Sequence, residues 1–217
     1  MHKTYKNSTN TANRIRTNAK NPWLKRHVND IYVKRSKKDA YRSRAAYKLI
    51  EINDKFQIFT KNSIVLDLGS APGSWSQVAL KNKVGAVIAV DLLNMEPIPG
   101  ITFITGDFLE NSVIQKIKDA LDGNLASAVL SDMAPNTTGI KEVDHLRIIA
   151  LAEQVVEVAK ITLKPGGHMV LKLFQGSKIQ QLAQLIARNF KHVKYCKPKA
   201  SRSESSEIYI VALNYGG

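Results

Sequence analysis

The sequence holds a single cysteine, Cys196, so an internal disulfide is impossible and no cysteine cluster is available for a metal. Its five histidines, His2, His27, His145, His168 and His192, lack the spacing of metal ligands and read as surface or packing residues. No metal site is therefore expected. Apolar runs of about 20 residues are missing, and the polar, basic N-terminus lacks the apolar stretch of a secretory signal. Neither a membrane span nor export is expected, and a cytoplasmic location is the default. Phosphate-cradle chemistry also lacks its signature, because the one loop suited to a nucleotide has no Gly-Lys-Ser/Thr ending. Its glycines, Gly69 and Gly73, are spaced G-x-x-x-G instead of G-x-G-x-x-G.

Acidic residues are scarce, 18 against 32 Lys and Arg, and the net charge is +14. Residues 1–48 hold 14 of the basic residues against only Asp30 and Asp39, which leaves 18 against 16 in the remainder. A basic N-terminal segment thus precedes a nearly neutral body, a pattern that suggests a polyanion, nucleic acid before an anionic membrane. With 217 residues, 44% of them hydrophobic, the chain can bury one sizeable core. The expected organisation is a basic, flexible arm over residues 1–33 and a single domain over 34–217.

What the sequence does contain is centred on residues 63–77. Ile64, Val65, Leu66 and Leu68 form an apolar, β-branched run that Gly69 ends before a segment able to open a helix, which reads as a buried parallel strand turning into a helix. Gly69 and Gly73 allow a ligand close to the backbone, and Asp67 lies near the carboxyl end of the strand, where open α/β sheets bind ligands. About twenty residues on, a second strand over 86–90 ends in Asp91, an acid able to accept from both hydroxyls of a ribose. A nucleoside without phosphates fits this loop, and S-adenosylmethionine is the obvious one.

Elsewhere the chain alternates. Trp23, Leu24, Ile31, Tyr32 and Val33 are the first residues expected to reach the core. Tyr41, Ala45, Leu49, Ile52 and Phe56 mark one face of a helix, with Lys48 and Glu51 placed as an ordinary surface ion pair would be. Strands are expected over 101–105, 126–130 and 169–173, with helices over 111–121, 143–163 and 179–190. The long helix is expected to bury Leu146, Ile149, Val156, Ala159 and Leu163. Two closing strands, 193–196 and 208–213, follow without a helix and suggest an antiparallel hairpin. The fold class is α/β, a single Rossmann-like domain with a seven-stranded, mostly parallel sheet flanked by helices.

Lys48, Asp132, Lys172 and Glu207 stand where a purely structural sequence would tend to keep apolar or neutral residues. A lysine inside Met-Val-Leu-Lys-Leu-Phe is costly to bury as an ion, so it reaches a cleft, pairs with a carboxylate or loses its proton. Asp132 ends a parallel strand, at the edge that lines the ligand crevice, and Asp107 closes the third strand where an adenine amino group could be held. Methyl transfer from a sulfonium to a ribose hydroxyl needs an in-line nucleophile and is helped by an amine base, a role open to Lys172 with Lys48 beside it and Asp132 and Glu207 as orienting acids.

At these positions the sequence resembles the FtsJ/RrmJ (RlmE) family of ribosomal RNA ribose 2'-O-methyltransferases. The likeness runs from about residue 34 to 215 and rests on Tyr41-Arg-Ser-Arg-Ala-Ala-Tyr-Lys-Leu, Asp67-Leu-Gly-Ser-Ala-Pro-Gly-Ser-Trp-Ser-Gln, Ser131-Asp-Met-Ala-Pro-Asn, Lys172-Leu-Phe-Gln-Gly and Ser201-Arg-Ser-Glu-Ser-Ser-Glu-Ile-Tyr. It implies that Lys48, Asp132, Lys172 and Glu207 form the catalytic tetrad with Lys172 as proton acceptor. It further implies that Gly73, Trp75, Asp91, Asp107 and Asp132 contact S-adenosylmethionine, and that the substrate is a uridine ribose in the A loop of 23S ribosomal RNA, within an assembled large subunit. Ser70 and Ser74 stand where bacterial members carry Ala and Gly, and Ser74 can cap the following helix. Lys34, Arg35, Arg42, Arg44 and Arg202 are the expected RNA contacts, and no protein partner is indicated. A transfer RNA or RNA-cap enzyme would keep the same tetrad. A non-catalytic RNA-binding module would be favoured by loss of any of its members, and a nicotinamide dehydrogenase is disfavoured by the glycine spacing.

Overall fold

The structure, a computed structural model, describes residues 30–217. Most of the expected arm, with Trp23 and Leu24, lies outside the described residues. The boundary expected after residue 33 falls inside a helix, α1 (Ile31–Lys38), because the Asp30 carboxylate caps it by accepting from the amides of Tyr32 and Val33. Val33 is buried there, whereas Ile31 faces solvent.

Then follow α2 (Ala46–Phe56), β1 (Ile64–Leu68), α3 (Ser74–Lys81), β2 (Ala86–Asp91), β3 (Ile101–Thr105), α4 (Asn111–Leu121) and β4 (Ala126–Ser131). The chain closes with α5 (Lys141–Thr162), β5 (Leu163–Phe174), α6 (Ile179–Ala187), β6 (Phe190–Cys196) and β7 (Glu207–Tyr215). The seven strands form one sheet in the order β3-β2-β1-β4-β5-β7-β6. The first five are parallel, and β7 inserts antiparallel between β5 and β6. The expected hairpin is therefore present, with its second strand on the inside. Residues 164–167, which include the stop expected at Pro165-Gly166-Gly167, bulge out between the pairings of Leu163 with Ala126 and of His168 with Ala128.

Both faces of the sheet are covered, so its central strands are apolar on both sides. Residues alternate between two cores. Leu66, Leu68, Val129, Met169, Leu171 and Ile210 pack under α4, α5 and α6. Val65, Leu130, Val170, Tyr209 and Val211 pack under α2 and α3. Of the stripe expected along α5, Ile149, Val156, Ala159 and Leu163 are buried and only Leu146 is exposed; Asp144, His145, Ile148, Ala152 and Val155 are buried as well.

Candidate active site

Side chains along a strand alternate with period two, and this gathers Asp132, Lys172 and Glu207 on one face. Lys172 has the parity of Val170, Asp132 that of Leu130 and Glu207 that of Tyr209, all of the α2 side. Lys48 projects from α2 onto the same spot. The pairing of β5 with β7 sets Lys172 beside Tyr209 and Phe174 beside Glu207.

The four polar groups meet in a compact cluster. The Lys48 ammonium lies 2.9 Å from both Glu207 carboxylate oxygens and 3.8 Å from Asp132 Oδ1. Lys172 Nζ donates to the Asp132 backbone carbonyl at 2.7 Å and lies 3.3 Å from Asp132 Oδ1. Burial pushes the Glu207 carboxyl up, but Lys48, the Ser201 hydroxyl and Lys172 together hold it below the usual carboxylate range. The surface pair of Lys48 with Glu51 does not form. Glu51 instead accepts from the amides of Lys199 and Ala200 and fixes the β6–β7 loop, while Lys48 is only 9% exposed. Tyr209 joins the cluster unforeseen: fully buried, it donates its phenol to Asp132 Oδ1 at 2.6 Å. Its place two residues after Glu207 in a strand was the available signal.

On the other side of Asp132 opens a cleft of about 750 Å³ at the carboxyl ends of β1, β2, β3 and β4. Asp91, Asp107 and Asp132 all line it, between apolar walls that include Leu92, Phe108, Leu109 and Met133. Asp91 accepts from the amides of Ala71 and Leu93, each at 2.8 Å, one bond per carboxylate oxygen, which leaves further lone pairs on both for a diol. Asp107 similarly caps its own turn through Leu109 N at 3.0 Å. Three acids against one arginine, Arg147, repel phosphate and suit a neutral nucleoside carrying a cationic sulfonium. The residues present thus fit S-adenosylmethionine. Gly69 is dictated by the site, since its φ is +73° and a Cβ would lie 1.8 Å from the Met133 side chain.

Four residues of the loop and strand take places that their spacing did not specify. Asp67 does not face the cleft; it has the parity of Val65, is buried, and accepts from Ser76 Oγ at 2.6 Å behind the loop. The Trp75 indole also points away, donating to the Ala45 carbonyl and lying beside Tyr209, so only its main chain at the start of α3 is left to meet a cofactor. At Gly73 the space a Cβ would take is filled by Ile98, Met95 and Arg42, so only its main chain is available to a cofactor. Ser74 is not a cap, because Gly73 takes that position and the Ser74 hydroxyl pairs with Ser43 Oγ at 2.8 Å.

The expected RNA contacts divide. Lys34 and Arg35 are exposed on α1, Arg35 pairing with Asp39 at 3.3 Å. Arg202 is partly exposed and lies 3.7 Å from Asp30. Arg42, however, donates to the carbonyls of Pro72, Glu96 and Pro97 and so clamps the loop after β2 onto the cofactor loop. Arg44 is largely buried, bound to Asp30 and to the Ala200 carbonyl. Their guanidinium groups have internal work that spacing along the sequence does not reveal.

A nucleoside-sized acidic cleft at the carboxyl edge of such a sheet, with a lysine–carboxylate cluster at its side, defines an α/β methyltransferase. Residues 41–215 match the family of FtsJ-like methyltransferases, and the chain belongs to that family. It is 48% identical to ribosomal RNA large subunit methyltransferase E of Chromobacterium violaceum, covering 90% of this chain and 97% of that one. The protein of the same name from Rickettsia rickettsii is also 48% identical, over 92% of this chain and 90% of that one. Among solved structures, a Plasmodium falciparum protein described as a ribosomal RNA methyltransferase superposes with a TM-score of 0.75 at 36% identity, covering 82% of this chain and all of that one. A Lactococcus lactis protein described as a hemolysin, 16% identical with a TM-score of 0.61, covers 80% of this chain and 88% of that one and shares the fold alone. Among the described residues no helix is long and apolar enough to cross a membrane, and no group of His, Cys, Asp and Glu could hold a metal ion.

Proposed function

We propose that this protein methylates the 2'-hydroxyl of a uridine ribose in the A loop of 23S ribosomal RNA, in the large subunit, using S-adenosylmethionine. The observation that carries the reading is the meeting of Lys48, Asp132, Lys172 and Glu207 beside the cleft, in a chain 48% identical to proteins named for large-subunit ribosomal RNA methylation. The likeness of the five motifs supplies the uridine and the A loop.

S-adenosylmethionine supplies a methyl group activated on a sulfonium. Asp91 takes the cofactor ribose hydroxyls, Asp107 the adenine amino group, and the main chain around Gly73 and Trp75 the amino-acid end. Lys172, as the free amine, would accept the proton of the 2'-hydroxyl, whose oxygen is the acceptor of the methyl group that the bound cofactor would supply. Asp132 orients Lys172 through its carbonyl and carboxylate, and Glu207 holds Lys48 beside them. Alignment of oxygen, carbon and sulfur supplies much of the acceleration. Lys34, Arg35 and Arg202 hold the RNA backbone.

Labelled S-adenosylmethionine offered with free ribosomal RNA, isolated large subunits and transfer RNA, followed by mapping of the modified nucleotide, tests the assignment. Label in one uridine ribose of the large-subunit RNA is expected. Label confined to transfer RNA would reassign the substrate, and none in any RNA would favour a binding module.

A further inference from the structure

The first turn of α5 buries two adjacent polar side chains, Asp144 and His145, and they reach in different directions. Asp144 holds the loop after Asp132, accepting from Thr138 N at 2.6 Å, Thr138 Oγ1 at 2.8 Å and Gly139 N at 3.1 Å. His145 reaches the turn that follows β5. Its Nδ1 lies 3.1 Å from the Phe174 carbonyl oxygen, and its Nε2 lies 3.0 Å from the Lys178 amide nitrogen. A carbonyl can only accept and an amide N–H only donate, so the ring is neutral with its proton on Nδ1.

This bridge spans the step from the last residue of β5 to the residue that opens α6. Gly176 lies inside the turn, where a Cβ would come within 2.5 Å of the imidazole. The turn is also tied to β7, since the Gln175 amide donates to the Ser206 carbonyl at 2.8 Å and Phe174 pairs with Glu207. The ring therefore closes a turn that begins two residues after Lys172 and abuts Glu207.

We infer that His145 is a positioning residue: as the neutral Nδ1–H ring it braces the 175–178 turn, and through it the strand ends that set Lys172 and Glu207. A purely apolar helix face could pack here but could not bond both ends of the turn. Gln at position 145 offers one N–H and one carbonyl in place of the two ring nitrogens; Ala offers neither. The inference rests on the proposed methyl transfer for its kinetic readout only.

The test compares full-length His145→Ala and His145→Gln with the wild type, using labelled S-adenosylmethionine and large-subunit RNA under single turnover. The Ala variant is expected to lose at least tenfold in rate at saturating cofactor, with cofactor affinity within twofold of wild type, and the Gln variant to regain most of the rate. Hydrogen exchange at the Lys178 amide should accelerate in the Ala variant and recover in the Gln variant. Nitrogen-15 spectra of the wild-type ring should place the proton on Nδ1. A Gly176→Ala change should cost less in the His145→Ala background than in the wild type. A wild-type rate with wild-type exchange in the Ala variant, an equal loss in both variants, or a ring protonated on Nε2 would overturn the brace. If the Ala variant does not fold, the Gln variant and the wild-type spectrum still decide. A wild type that methylates no RNA would instead overturn the proposed reaction, leaving exchange and ring spectra to judge His145.

Discussion

Tyr209 and Asp132 are joined by a 2.6 Å hydrogen bond from a phenol that is itself fully buried, so the carboxylate shared by both lysines and the cleft is fixed from the core side. Asp132 in turn raises the Tyr209 pKa, although burial is the larger cause. Tyr209→Phe keeps the ring and removes the donor. A stability loss of about 1–2 kcal/mol is expected, as for a buried group left without its partner. The single-turnover rate should fall by about tenfold with RNA affinity unchanged. Chemical denaturation and rapid quench measure the two effects, and a variant as fast as wild type would show that Asp132 needs no such support.

Asp91 both faces the cleft and pins the loop amides of Ala71 and Leu93. Replacing it with Ala removes charge-assisted bonds worth roughly 1.5–3 kcal/mol each. Calorimetric titration should show cofactor affinity at least tenfold weaker while RNA still binds. Unchanged cofactor affinity in a folded variant would place the ribose elsewhere.

Asp67 gives a pH signature. Burial pushes its carboxyl up to about 7, against the Ser76 hydrogen bond and with Asp132 and Asp91 adding to the rise. The folded protein thus keeps a proton that the unfolded chain releases near ~3.9, so stability falls as pH rises from about 4 to 7, by up to about 1.4 kcal/mol per unit, and then levels off. Asp67→Asn cannot ionise and should lose this slope. Thermal unfolding from pH 5 to pH 8 should bring the wild type down relative to the variant; parallel curves would mean that Asp67 is ionised throughout.

Deleting residues 1–29 removes seven Lys and Arg and keeps Asp30, the cap of α1. Weaker RNA binding is expected, with a salt dependence shallower by about 0.7 for each lost contact to single-stranded RNA. Cofactor affinity should hold. Identical slopes with and without the segment would make it a solubilising tail.

The sequence was most legible where physical demands were uniform. β1 is a buried apolar run and β3 a β-branched edge strand, both bounded by turn residues, and their limits matched those expected. Lysine and carboxylates at strand ends announced the tetrad because burying an unpaired charge is too costly to be accidental. Partnership was harder to read. Glu51 lies three residues from Lys48, yet holds a loop almost 150 residues away. Neither α1, rich in charge, nor the burial of Asp144 and His145 follows from apolar spacing, since α1 and Asp144 depend on polar bonds to nearby amides and His145 on backbone about 30 residues away.

The central claim is that Lys172 takes the proton of the ribose hydroxyl. Arg at this position keeps a positive charge but cannot give up its proton at working pH. Single-turnover methyl transfer by Lys172→Arg, beside Lys172→Ala, is the direct measurement, with cofactor and RNA binding verified in each. Both variants should lose nearly all activity. Substantial turnover by the Arg variant would contradict the account and assign Lys172 a role of charge and position, with the proton leaving by another group or by water.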